Sequence, residues 1–174
     1  MKAKTIVAIV VLAVAVGVAG FFLGRTKPAA PTAGVKGEGL RPYPSANQPI
    51  DYNEVLSELK TRLAEKPDDW ELNYRMATAF FEMRRFDDAI VYYKKAILLN
   101  PDYIDSYNYL GLASHYVGNT PEGLKYVEEG IRRSPDYQRI WLTKGFLLAY
   151  GLGNPKEATA AWEKAISIDP ESSV

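Results

Sequence analysis

Residues 94–111 read KKAILLNPDYIDSYNYLG. A run with helical spacing of apolar residues stops at Asn100-Pro101-Asp102, and a second run begins at once. Proline cannot continue a helix and restricts the residue before it, so the stretch reads as one helix ending and another starting. The same Pro-Asp pair stands at Pro67-Asp68 and Pro135-Asp136, spaced by 34 residues each time, and Pro170-Glu171 follows after 35. A fixed spacing of this length marks a repeat architecture.

With units begun at Trp70, Ile104 and Gln138, three positions in each unit are always small. They are Ala77, Gly111 and Gly145; Ala89, Gly123 and, after one inserted residue, Ala158; and Ala96, Gly130 and Ala165. Side chains that small are demanded where helix backbones cross closely. Between them lie two amphipathic patterns per unit, such as Met76, Phe80 and Met83, then Ile90, Tyr93 and Ile97. Gly118 closes the first helix of the second unit, and Thr120-Pro121 is expected to open the next as N-cap and first-turn proline. Gly153, Asn154 and Pro155 repeat that arrangement, whereas the first unit has Arg84 where a glycine should stand. Asp68 with Glu71, and Asp102 with Asp105, are expected to cap the first helices. The pattern predicts seven helices starting near residues 53, 70, 86, 103, 120, 137 and 155, and no sheet. The first of them, over NEVLSELKTRLAEK (53–66), precedes the complete units.

These units resemble the tetratricopeptide repeat over residues 70–172. Tyr107 and Trp141 stand at its aromatic position 4, Leu110-Gly111 at 7–8, Phe80 and Leu148 at 11, Tyr93 and Trp162 at 24, and the prolines at 32. Asn73, Ser114 and Val127 depart from the pattern, and Lys144 replaces a buried leucine. The resemblance implies an all-α solenoid of about three helix–turn–helix repeats plus one preceding helix, in which stacked pairs share a core that no single pair could supply. It also implies a concave face that grips an extended or helical segment of another protein. The face positions place Tyr74, Asn108, Leu112, Tyr116, Arg139 and Phe146 along the expected groove, with Glu71, Thr78, Phe81, Glu82, Asp105, His115, Leu142, Ala149 and Tyr150 around them. The carboxylate-binding clamp found in one subclass is not expected, because only Arg139 fits its basic and amide positions; Tyr74, Thr78 and Thr143 do not.

Composition narrows the chemistry. Of 21 basic and 21 acidic residues, the first 40 positions hold five basic (Lys2, Lys4, Arg25, Lys27, Lys36) and one acidic (Glu38). The remainder is therefore mildly acidic, which argues against nucleic acid as a partner. There is no cysteine, and His115 is the only histidine. No nucleophile with a base and no set of metal ligands is legible, so neither an enzyme nor a cofactor is expected.

Residues 5–24 carry no charge and are flanked by Lys2, Lys4, Arg25 and Lys27. As a helix they would reach ~30 Å, the thickness of a bilayer's hydrocarbon core. Residues 1–24 are thus read as a transmembrane anchor, the alternative being a cleaved signal peptide. Residues 25–50, rich in proline and glycine, are read as a disordered linker whose ends lie ~28 Å apart. Residues 51–174 are the repeat domain. The expected setting is a bacterial inner membrane with the domain exported. The expected role is a membrane-tethered adaptor or assembly factor for a protein partner. The alternative is a structural protein that self-associates through the last helix, where Ala161, Trp162, Ala165 and Ile168 have no later helix to cover them.

Overall fold

The computed structural model describes residues 50–170. Seven α-helices follow one another: α1 (Tyr52–Glu65), α2 (Trp70–Glu82), α3 (Phe86–Leu99), α4 (Ile104–Tyr116), α5 (Thr120–Arg133), α6 (Gln138–Phe146) and α7 (Pro155–Ile168), with a π-helical turn (Leu147–Gly151) extending α6. Each begins within one residue of the start expected from the proline spacing, and the described residues contain no strand. None of the described helices is long and apolar enough to cross a membrane. The anchor read at residues 5–24, and the linker up to residue 49, lie outside the described residues.

The small positions lie at the helix crossings. Ala77, Ala89, Ala96, Ala158 and Ala165 have no exposed surface. A Cβ placed on Gly123 would lie 2.5 Å from the carbonyl oxygen of Gly111, and one on Gly111 would lie 2.5 Å from Val127 Cγ2. Gly145 presses against the Trp162 indole and Gly130 against Ile140 and Tyr107. Around these crossings Tyr107, Val127, Ile140 and Leu147 form a buried cluster that joins the second unit to the third.

The caps differ from the expectation. Asp69, not Asp68, caps α2, accepting from the amides of Glu71 (3.0 Å) and Leu72 (3.1 Å). The Pro-Asp pair occupies the turn itself, so the cap falls one residue later; in the next two units that residue is Tyr103 or Tyr137, which makes no side-chain cap. Asp102 caps nothing: its amide donates to Asn100 Oδ1 at 3.2 Å. Asn119 rather than Thr120 is the N-cap of α5. Thr120 is already helical and buried, and its hydroxyl pairs with His115 Nδ1 at 2.9 Å. Asn154 does cap α7, exchanging hydrogen bonds with Glu157 through its side chain.

Gly118 and Gly153 take left-handed φ values of 86° and 63°, and Arg84 takes 59° at the equivalent turn of the first unit. The missing glycine therefore changed the residue and not the turn. Asn73, the departure at position 4, has a use that Trp141 shares. Asn73 Nδ2 donates to the carbonyl of Pro67 (3.2 Å), and Trp141 Nε1 donates to that of Pro135 (2.7 Å), in each case six residues back. Lys144 reaches Glu128 at 2.9 Å while lying near the Trp141 ring. The inserted residue of the third unit is absorbed at Leu147–Gly151, where the helix widens into its π turn.

The face of the first helices as candidate functional site

The first helix of each unit carries the residues expected in a groove, and aromatic rings join them into one row. Trp70 meets Tyr103 at 4.8 Å between centroids, Tyr103 meets Tyr74 at 4.8 Å, and Tyr74 meets Tyr109 at 6.4 Å. Tyr109 meets Phe81 at 5.6 Å, and Phe81 meets Tyr116 at 6.0 Å. Tyr116 then touches His115, which meets Phe146, which meets Tyr150 at 5.3 Å. The tilted and edge-on geometries are those that aromatic quadrupoles favour. The row spans all three units.

Tyr74, Tyr116 and Phe146 all belong to this row, so the structure brings together three of the six residues expected in the groove. Tyr74 is enclosed by rings. Burial foremost, then the neighbouring Tyr93, Tyr103 and Asp105, holds its phenol far above its usual range. Burial pushes Tyr116 up to about 12, with Arg84 pulling the other way. Leu112 is half-buried on the same helix. Asn108 is 2% exposed and its Oδ1 has no partner, so it stands beneath the face and not on it. Arg139 is engaged within the molecule: its Nη1 lies 3.3 Å from Asp105 Oδ1, across from one unit to the next.

Two contributors escaped the sequence reading. Tyr103 and Tyr137 each follow a Pro-Asp pair, and each reaches back to the first helix of the preceding unit. Tyr103 lies on Trp70 and Tyr74, and Tyr137 donates its hydroxyl to Asp105 at 2.6 Å. The recurring Pro-Asp-Tyr triplet was the signal that could have found them.

His115, the sole histidine, is held at a joint. Its ring lies between Tyr116 and Phe146, its Nδ1 pairs with Thr120, and burial lowers its pKa, so it is neutral at pH 7. The described residues contain no cluster of His, Cys, Asp or Glu able to hold a metal ion. What the face offers is apolar and aromatic side chains with a few internally paired charges.

Comparison with known proteins agrees on the repeat. Tetratricopeptide repeat models match residues 70–103 and 138–172, and the unit between them has the same pair of helices. The chain therefore carries tetratricopeptide repeats. Among curated proteins, the FlbA protein of Caulobacter vibrioides is 30% identical over 105 residues, covering 60% of this chain and 17% of FlbA. Hsp70-Hsp90 organizing protein 3 of Arabidopsis thaliana is 24% identical over 122 residues, 70% of this chain and 22% of that protein. The chain thus spans about a fifth of the length of these relatives. Of solved structures, a crystal structure of MamA is 26% identical with a TM-score of 0.64, and 70% of each chain is covered. YrrB, described as a TPR protein with an unusual peptide-binding site, shares the fold at 22% identity and a TM-score of 0.63, over 69% of this chain and 61% of YrrB.

Proposed function

We propose that this protein is a membrane-tethered adaptor that holds a segment of another protein against the face of its first helices. The observation that carries the reading is the row of rings from Trp70 to Tyr150, which runs along one helix face through three units, half-buried apart from the buried Phe81 and the exposed Tyr150. Rings of this kind contribute large contact area while losing little rotamer entropy. The relatives add support by their names: one is an Hsp70-Hsp90 organizing protein, and YrrB is described as having an unusual peptide-binding site. The uncharged run of residues 5–24 supports the tether, with the domain exported from a bacterial cytoplasm.

The test uses the full chain in its membrane. Crosslinking with affinity capture should recover one protein partner. Replacing Leu112 and Tyr150 together by alanine should abolish its recovery while helicity stays unchanged. Capture that survives this pair removes the face from the reading. Extraction with alkali checks the tether separately: the protein should stay in the membrane pellet, and release into the supernatant overturns the anchor.

Self-association through the last helix is the competing reading. Trp162 is 4% exposed and donates its indole N–H to the Leu142 carbonyl at 3.3 Å, so the largest apolar group of that edge is turned inward. Sedimentation at rising concentration, with Ile168→Asp as the control, separates the two readings.

A further inference from the structure

The second helix of the first unit, α3, turns one side into the stack and leaves the other bare. Ala89, Tyr93 and Ala96 have no exposed surface, whereas Val91 is 62% and Leu98 82% exposed. At ~100° per residue, Val91 and Leu98 stand within ~20° of each other on that outer side. Asp87 and Lys94 flank them on one side, Asp88 and Lys95 on the other. Beside the start of α3 opens a cleft of about 480 Å³, walled by Arg84, Phe86, Tyr116 and Val117 among others. Phe86 and Tyr116 stack there at 4.6 Å, and Val117 is itself an exposed apolar residue. The outer side of α3 thus presents an apolar stripe with charged flanks at one place and an apolar-walled recess at another.

The pattern is complementary to itself. A second α3 laid antiparallel across the first, with a two-fold axis at Val91, sets residues on opposite sides of Val91 against each other. On one flank Asp87 of each copy then faces Lys94 of the other, and on the other flank Asp88 faces Lys95. A parallel arrangement would set like charges together. Leu98 lies seven residues beyond Val91 and Arg84 seven before it, ~10 Å along the helix in either direction. The same two-fold therefore lays Leu98 of each copy over the cleft of the other. We propose that the outer face of α3 docks a second copy of this chain, antiparallel about Val91, with Leu98 seated in the other copy's cleft against Phe86, Tyr116 and Val117. Asp88 is already held by Arg85 at 2.7 Å, so the Asp87–Lys94 contacts carry most of the charge complementarity. One helix pair and two clefts make a small interface, and the dimer is weak and reversible. The surface is separate from the row of rings except for Tyr116, and the proposal does not depend on that row holding a partner.

The chain has no cysteine, so a single introduced thiol reports the geometry. In the full chain as expressed, mild oxidation should link the Val91→Cys variant into a disulfide dimer, because the two-fold brings that position against its own copy. Leu152→Cys, at an exposed position before α7, should stay unlinked. Adding Asp87→Lys or Lys94→Glu to Val91→Cys should slow linking roughly tenfold, since two like-charged contacts replace two attractive ones. The two reversals together should restore it, a rescue that a loss of folding would not show. Leu98→Asp should abolish linking with helicity unchanged. A Val91→Cys chain that stays monomeric, links no faster than Leu152→Cys, or links to a different protein overturns the proposal. Linking that ignores the single reversals, or that the double exchange fails to rescue, overturns it as well. Linking lost on Ile168→Asp would move the contact to the last helix and overturns it too.

Discussion

The hydroxyl of Tyr137, the N-cap residue of α6, lies 2.6 Å from Asp105 Oδ1 on the first helix of the second unit. Arg139 reaches the same oxygen at 3.3 Å. Two donors, from the N-cap and the first turn of α6, thus converge on one acceptor of α4. Replacing Asp105 by alanine leaves both without their acceptor. The expected loss is ~1–2 kcal/mol of unfolding free energy, read by urea denaturation, and Tyr137→Phe should lose less because Arg139 keeps its partner. Equal losses for the two variants would show that the carboxylate is not the shared anchor.

Arg84 holds a left-handed backbone that glycine adopts without strain. Arg84→Gly is therefore expected to stabilise the domain by roughly 0.5–1 kcal/mol. The gain should appear as a higher melting temperature in circular dichroism, against no gain for Arg84→Ala, which keeps the Cβ.

Gly123 faces the Gly111 carbonyl so closely that a methyl group has no room, and the atom it would strike is backbone. Gly123→Ala should cost ~1–3 kcal/mol by overpacking. Gly118, left-handed but open to solvent, provides the contrast: Gly118→Asn should cost well under that, because asparagine tolerates the conformation. Thermal melts of both variants decide between steric and conformational demand.

Six phenols along the first helices and their turns, Tyr74, Tyr103, Tyr107, Tyr109, Tyr116 and Tyr137, are raised, each by burial first. A raised folded pKa means that their contribution to stability is complete below the unfolded tyrosine value of ~10. It is lost as the pH climbs above that value. The melting temperature should fall steeply above that pH, and tyrosinate absorbance at high pH should rise together with loss of helicity. Titration of all tyrosines near their ordinary value with the helices intact would contradict the burial of this row.

Burial lowers His115, which gives the opposite sign on the acid side. The unfolded chain takes up the proton first, so stability is expected to decline as the pH falls below the unfolded histidine value of ~6.5. His115→Gln should remove that part of the decline, as measured by melting temperature against pH in the two proteins.

The helices were legible because two independent signals coincide: proline at a fixed interval ends each unit, and alanine or glycine marks each crossing. The caps were less legible. Asp68 and Asp69 are adjacent and chemically identical, and only the length of the turn decides which faces the helix amides. The site was half legible for a related reason. Position within the repeat says which residues point towards the face, and Tyr74, Tyr116 and Phe146 do lie in the row of rings. It does not say how deep a side chain sits or whether a neighbour has claimed it. Asn108 is sunk below the surface and Arg139 is taken by Asp105, and both outcomes depend on contacts between units that a single-unit pattern does not encode.

The π turn at Leu147–Gly151 has a consequence for how such a chain tolerates change. One extra residue in a continuous α-helix rotates everything beyond it by ~100°, enough to swing a packed stripe out to solvent. Here the widening takes up the surplus before the helix ends, and Ala158, Trp162 and Ala165 still arrive buried against their neighbours. Insertion and folding are thereby uncoupled at this one place. The end of α6 works as an expansion joint, and the lengths of the units can drift there without the stack losing its phase.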